Sequence, residues 1–332
     1  MCRGNEEDAL NGFRWINDKT ERDKRKRVCA TETHATTFCK RHSLTLKGVA
    51  NKSWGLKKAR YKVEYEKPVP PYKIPEYKEG MKYCNSNEKY LRPTLYCNPH
   101  AKEIVAMAHK LGAFEKDDYE FANNAFEFVK GNIVLQMVPM DDAVATLKRG
   151  SGTCFHMLNL YVALCRAAGI KARYKLYALS MIQTWYDTLV AVDPLMKKWY
   201  DAMGYFMMHG EAEVYVNDEW LTADVAPTPE RQAAAGIPIT KLGEDPIGVR
   251  FFALPGTIMR MESLPLGLGL STKLLMGKIA PGTVATINKS ILQQIERGRK
   301  ILEEMGEEEY DKKARKTFKP KAPTLKIENK ES

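Results

Sequence analysis

The feature that most constrains the fold is the stretch from Thr153 to Gly169. Met157, Leu158, Tyr161, Val162, Leu164 and Cys165 spread apolar side chains over most of a helical circumference. Thr153 can cap the start, and Gly169 is placed to end it. A helix apolar over so much of its surface has no face to give to water, so it must be the central element of a larger core. Ile170 to Leu179 then alternates as a strand. Helix and sheet must therefore pack on one another, which makes the fold class α+β.

The flanks supply the partners. Ile104, Val105, Ala108 and Leu111, then Phe121, Ala125, Phe128 and Val129, recur at three- and four-residue spacing and predict two amphipathic helices parted near Gly112. A third, short helix is expected over Asp141 to Leu147. Glu211 to Val216 and Glu219 to Thr222 read as strands joined by Asn217-Asp218, a favourable two-residue turn. Before this hairpin lies an aromatic-rich insertion, 180–208, with a helix expected over Asp193 to Met203. After Asp224 the chain reads as loop until an amphipathic helix near Ile287 to Met305, followed by a charged tail expected to fray.

Of the 332 residues 44% are hydrophobic and 28% charged, the balance of a folded globular chain. The weakly polar stretch from Leu264 to Ile287 is interrupted by Lys273 and Lys278 and does not read as a membrane span. No apolar secretory segment opens the chain, so the expected location is cytoplasmic. Residues 1–80 hold 19 Lys/Arg against 11 Asp/Glu, most of the net +11. Such a basic arm suits an acidic partner; nucleic-acid binding has charge alone behind it. Lys67 to Pro75 is proline-rich and reads as a linker or wrapping segment. Seven cysteines, an odd number without an export signal, argue against a disulfide framework. Cys29, His34, Cys39 and His42, with Cys84, Cys97 and His100, offer soft ligands. Their spacing matches no common zinc module, so neither a metal nor another cofactor is expected.

Cys154 stands apart. It lies in the first turn of the buried helix, where unpaired amides and the positive end of the helix dipole favour a thiolate, the nucleophilic form. The preceding Gly-Ser-Gly would let a substrate carbonyl approach the backbone. His209 precedes the first hairpin strand and Asp224 follows the second. With Asn217-Asp218 as the turn, Glu211 lies opposite Asp224, and His209 is its diagonal neighbour on the same face. A packed core cysteine, a satisfied histidine and a turn-capping aspartate are the bland alternative. His156, two residues past Cys154, points away around the helix, and Cys165 reads as core.

These residues give the segment from about Tyr119 to Ala226 a resemblance to the transglutaminase-like cysteine hydrolase and acyltransferase superfamily. The resemblance rests on Gly152-Thr153-Cys154, on Leu164 through Arg173 with its Gly169-Ile170 and Ala172-Arg173, and on His209, Glu213-Val214, Trp220 and Asp224. It implies a papain-like core with a central helix on an antiparallel sheet. It also implies Cys154 as nucleophile, His209 as general base then acid, and Asp224 orienting the imidazole, with the Cys154 amide helping to hold the oxyanion. Where the family commonly has Trp, two residues after the His, this chain has Glu211; Glu211, Trp185 and Trp220 are the candidates for a substrate groove.

The expected organisation is a basic arm and linker over 1–80, a transglutaminase-like domain over 81–286, and a C-terminal helix and tail over 287–332. The expected function is thiol-dependent cleavage or transfer at amide bonds of a protein or peptide, with no membrane partner. The alternative is a non-catalytic assembly protein that uses the same core as a scaffold.

Overall fold

A computed structural model of the chain describes residues 68–254 and 256–323. Helices α1 (Lys102–Lys110) and α2 (Asp118–Asn132) form where the periodicity predicts them, parted by Gly112 at a φ of 98°. Asp117 starts α2 by accepting from the Glu120 amide at 2.8 Å. Strand β1 (Val134–Leu135) follows, then α3 (Ala143–Arg149), capped by Asp142 and closed by Gly150 at a φ of 69°. Strand β2 (Ser151–Gly152) pairs in parallel with β1. It leads straight into α4 (Cys154–Ala167), every residue of which from His156 onward is buried. The sequence asks for such a helix to be surrounded, and it is: α1, α2 and α3 pack on one side and the sheet on the other. Outside this layer Tyr72 lays its ring edge-on to Phe128 and donates to the Leu147 carbonyl at 2.6 Å.

The sheet is antiparallel. Strands β3 (Ala172–Met181), β4 (Phe206–Val216) and β5 (Glu219–Ala223) run in the order β5-β4-β3. The far edge of β3 is shared by two short strands, β6 (Phe251–Ala253) and β7 (Met259–Met261). Those two strands lie where the sequence reads as loop; three residues are too few for periodicity to show. The β4–β5 turn is the predicted one: Asn217 and Asp218 both adopt positive φ, 52° and 64°, and Val216 pairs with Glu219. Ala172, Tyr174, Leu176, Ala212, Val214 and Val216 join the core around α4. Arg166, buried at the end of α4, donates to the carbonyls of Ala172, Arg92 and Glu262, tying the helix to β3 and two loops. The Tyr174 hydroxyl donates to Asn159 at 2.7 Å, a second polar bolt between helix and sheet.

The insertion after β3 holds α5 (Gln183–Trp185), a π turn over Tyr186–Val190, and α6 (Pro194–Met203) capped by Asp193. Beyond β5 come α7 (Pro229–Ala234), α8 (Leu268–Leu274) and a second π turn over Leu275–Ile279. The chain then forms the long α9 (Pro281–Met305) and α10 (Glu307–Thr317). The expectation of a frayed tail fails over α10. Tyr310 and Ala314 bury against Ala233 and Ile239, and Asp311 accepts from the Ile239 amide at 2.8 Å. These anchors are too sparse among charged residues to show as a pattern. Among the described residues no helix is long and apolar enough to cross a membrane.

Candidate functional site

The approach to Cys154 is held by backbone pairing. The Val134 and Gln136 amides donate to the carbonyls of Gly150 and Gly152, and the Ser151 hydroxyl donates to the Gln136 side chain. Gly152 is small for a reason inside the protein: a Cβ there would lie 2.3 Å from the His156 Cβ. His156 takes the capping role, its Nδ1 3.0 Å from the Thr153 amide and its Nε2 3.2 Å from the Pro139 carbonyl. It is thus structural, as its place on the helix predicts, and Cys165 lies fully in the core.

Cys154 itself is half-buried and free. Backbone groups of Gly210, Phe155 and Cys154 and the Arg231 guanidinium are close enough to its sulfur to favour the thiolate. Burial outweighs them all and pushes the thiol up to about 11. The expectation of a thiolate favoured by the helix start is therefore corrected: desolvation, which periodicity does not report, keeps the sulfur protonated.

The sulfur meets the sheet at Gly210, whose missing side chain makes room for α4. A Cβ there would stand 2.6 Å from Leu158 Cδ2 and 3.1 Å from Phe155 Cε1. His209, the preceding residue, lies inside β4 and pairs with Tyr177, since the strand begins earlier than its alternation suggests. Between the pairs Tyr177–His209 and Leu179–Phe206 the register shifts, with one extra residue on β4, a bulge of the kind that re-aims a neighbouring side chain. The imidazole packs against Tyr177 and Phe251, with ring centroids 5.5 and 4.6 Å away. Its Nε2 is buried without a hydrogen-bond partner. Burial, Arg250 and Lys175 push His209 down to about 3, so it is a neutral imidazole.

The β4–β5 register puts Asp224 opposite Glu211, as the turn predicts. Ligand atoms of His209, Glu211 and Asp224 lie within 4.8 Å of one another. Asp224, however, is ion-paired with Arg250, both side chains fully buried, and among the described residues no ion pair joins it to His209. Arg250 arrives from the loop before β6, a distance along the chain that no local pattern spans. The Glu211 carboxylate accepts from the Tyr177 hydroxyl and lies 3.4 Å from Lys175 Nζ. Burial raises it to about 7 against the pull of Lys175. The three ligand types would suit a metal ion, but Lys175 and Arg250 already neutralise the carboxylates and oppose a further cation. Cys29, His34, Cys39 and His42 lie outside the described residues; Cys84 and Cys97 are free, Cys97 in the core.

The groove candidates are each engaged within the protein. Glu211 is buried in its ion pair, and Trp185, 2% exposed, is covered by the Arg231 guanidinium at 4.6 Å. Trp220 holds Arg173 at 3.8 Å and packs with Tyr90 and Tyr215. In this structure their aromatic and acidic side chains take part in packing and charge pairing.

The family model of the transglutaminase-like superfamily matches residues 105–225. A solved structure described as a "putative cysteine protease" from Cytophaga hutchinsonii is similar at 17% identity and a TM-score of 0.32, over 52% of this chain and 50% of that one. The chain thus spans half the length of that protein. No curated protein matches it. The family-model match runs from Val105, within α1, to Val225, just past the β4–β5 hairpin. Over residues 105–225 the chain is thus similar to the transglutaminase-like superfamily.

Proposed function

We propose that the protein cleaves or transfers acyl groups at amide bonds of a protein or peptide, with Cys154 as nucleophile. The observation that carries this reading is the seat of Cys154: a helix-start thiol, half-buried, and meeting β4 at the residue next to His209. Asp224 lies within a few ångströms of that imidazole.

Because the thiol is protonated and the imidazole neutral, the proton moves during attack. As the Cys154 sulfur forms its bond to the amide carbonyl carbon, its proton passes to His209. The C–N bond then breaks, and His209 returns that proton to the departing amine, leaving a thioester. Water or a primary amine attacks the thioester, losing a proton to His209, and the sulfur leaves and regains it. In this reading the amide of Cys154, at the start of α4, holds part of the oxyanion. His209 bonds neither Cys154 nor Asp224 at rest, so the imidazole must turn to the thiol on substrate binding, as catalytic pairs often tighten only in the complex.

The Asp224–Arg250 pair favours a second reading, a scaffold that keeps the core without the reaction. One experiment separates them: the full chain is incubated with a peptide thioester and the adduct mapped by mass spectrometry. Acyl transfer to Cys154, lost in Cys154→Ala and slowed in His209→Ala, supports the enzyme; no transfer in wild type supports the scaffold.

A further inference from the structure

Arg231 is a buried cation for which the described residues supply no anion. It lies on α7, just past the hairpin that carries Asp224, and is 3% exposed. Its guanidinium lies over the Trp185 ring at 4.6 Å, and its Nη2 donates to the neutral Gln294 side chain at 3.3 Å. Its Nε is buried with no hydrogen-bond partner. Among the described residues no carboxylate forms an ion pair with it. The other buried arginines differ: Arg166 donates to carbonyls from all three of its nitrogens, and Arg250, though its nitrogens also lack hydrogen-bond partners, has the charge of Asp224 beside it. Leaving a guanidinium desolvated and unpaired is costly, and such a donor is where an arriving anion gains most. The charge that Arg231 does sense is that of the Cys154 sulfur.

We propose that Arg231 is a specificity-determining residue that binds a carboxylate of the substrate beside the scissile amide. This rests on the reading of Cys154 as nucleophile. Guanidinium and carboxylate match geometrically as a two-pronged pair. Trp185 holds the guanidinium plane by stacking, which turns the aromatic insertion into a support for this arginine. The carboxylate has two sources, the free C-terminus of a peptide or an acidic side chain next to the cleaved bond. Both offer the same chemistry.

The test compares an anionic with a neutral alkylating reagent on the full chain at pH 8. Rates with iodoacetate and iodoacetamide are read at each cysteine by peptide mass spectrometry, with the half-buried Cys84 as internal reference. The ratio of iodoacetate to iodoacetamide rate at Cys154 should exceed that at Cys84 by on the order of tenfold or more. Arg231→Met should bring the ratio to that of Cys84, the iodoacetate rate falling by a larger factor than the iodoacetamide rate. Gln294→Glu, which places a carboxylate beside Arg231 without removing it, should do the same and guards against a misfolded Arg231→Met.

Equal ratios at Cys154 and Cys84 in wild type overturn the proposal. So does a parallel loss of both rates in Arg231→Met, which would mean that the arginine serves the thiolate and no ligand.

A second readout needs no thiol chemistry: thermal stabilisation by N-acetyl-alanyl-alanine, by its C-terminal amide, and by N-acetyl-glutamyl-alanine amide. Stabilisation by the first alone assigns the C-terminal carboxylate, and by the third the acidic side chain; both should vanish in Arg231→Met. If none stabilises wild type, the carboxylate site is refuted. If a carboxylate peptide binds while Cys154 accepts neither alkylating reagent nor thioester, the carboxylate site stands and the nucleophile reading falls.

Discussion

The carboxylate of Asp224 is ion-paired with the guanidinium of Arg250, and both side chains are fully buried. The pair anchors the loop before β6 to the end of β5, and Phe251, the next residue, packs on the His209 ring. One interaction therefore fixes both the acid and the wall against which the imidazole rests.

Removing half of that pair leaves a buried charge. Arg250→Met should cost about 3–5 kcal/mol, whereas Arg250→Met with Asp224→Asn should recover much of it, because the uncompensated carboxylate is gone. Denaturant unfolding of the two single variants and the double variant measures the coupling; additive losses would mean that the pair contributes no interaction.

Cys154 and His209 predict a pH signature. A thiol held up to about 11 should alkylate with iodoacetamide more slowly at pH 7 than an unperturbed cysteine, with a rate that climbs past pH 10. His209, pushed from its usual 6.5 to about 3, is harder to protonate folded than unfolded. The unfolded chain thus binds the extra proton first. The stability due to neutral His209 is whole above pH 6.5 and drains as pH falls toward 3. Glu211 works the other way: raised from 4.5 to about 7, it contributes below 4.5 and loses that as pH rises through 7. Thermal melts across pH 3 to 8 should show a shallower acid-side fall in His209→Gln than in wild type. An identical fall would remove His209 from the account.

Arg166 ties four structural segments through carbonyl oxygens alone, so its loss strands buried acceptors. Arg166→Met should destabilise by about 3 kcal/mol or more, measured by chemical denaturation. A loss below about 1 kcal/mol would mean that water replaces the guanidinium.

Two glycines at helix contacts should respond differently. At Gly298 a Cβ would fall 1.7 Å from the Glu230 carbonyl oxygen, a backbone atom that cannot swing aside, so Gly298→Ala must part α9 from α7. At Gly210 the nearest atoms are the ends of Leu158 and Leu176 side chains, which can yield. Gly298→Ala should cost about 1–3 kcal/mol or more and the Gly210 change less. Gly210→Ala should nonetheless change labelling of Cys154 more, since it shifts the helix that carries the sulfur. Melting temperatures alongside iodoacetamide rates decide this.

The sequence by itself determined the elements whose cause is local. The apolar circumference of α4, the spacing in α1 and α2 and the αL-tolerant Asn217-Asp218 turn each act within a few residues, so pattern and chemistry coincide. They sufficed to align Glu211 with Asp224 and to single out Cys154 and His209. Only the tertiary structure decided the state of those groups. Arg250 reaches Asp224 and Arg231 stacks on Trp185 from loops and helices far along the chain. Desolvation, summed over everything packed around a side chain, protonates Cys154 and deprotonates His209 against their local tendencies. Charge pairing and burial are properties of assembled surfaces, and no window of sequence contains both sides of such a contact.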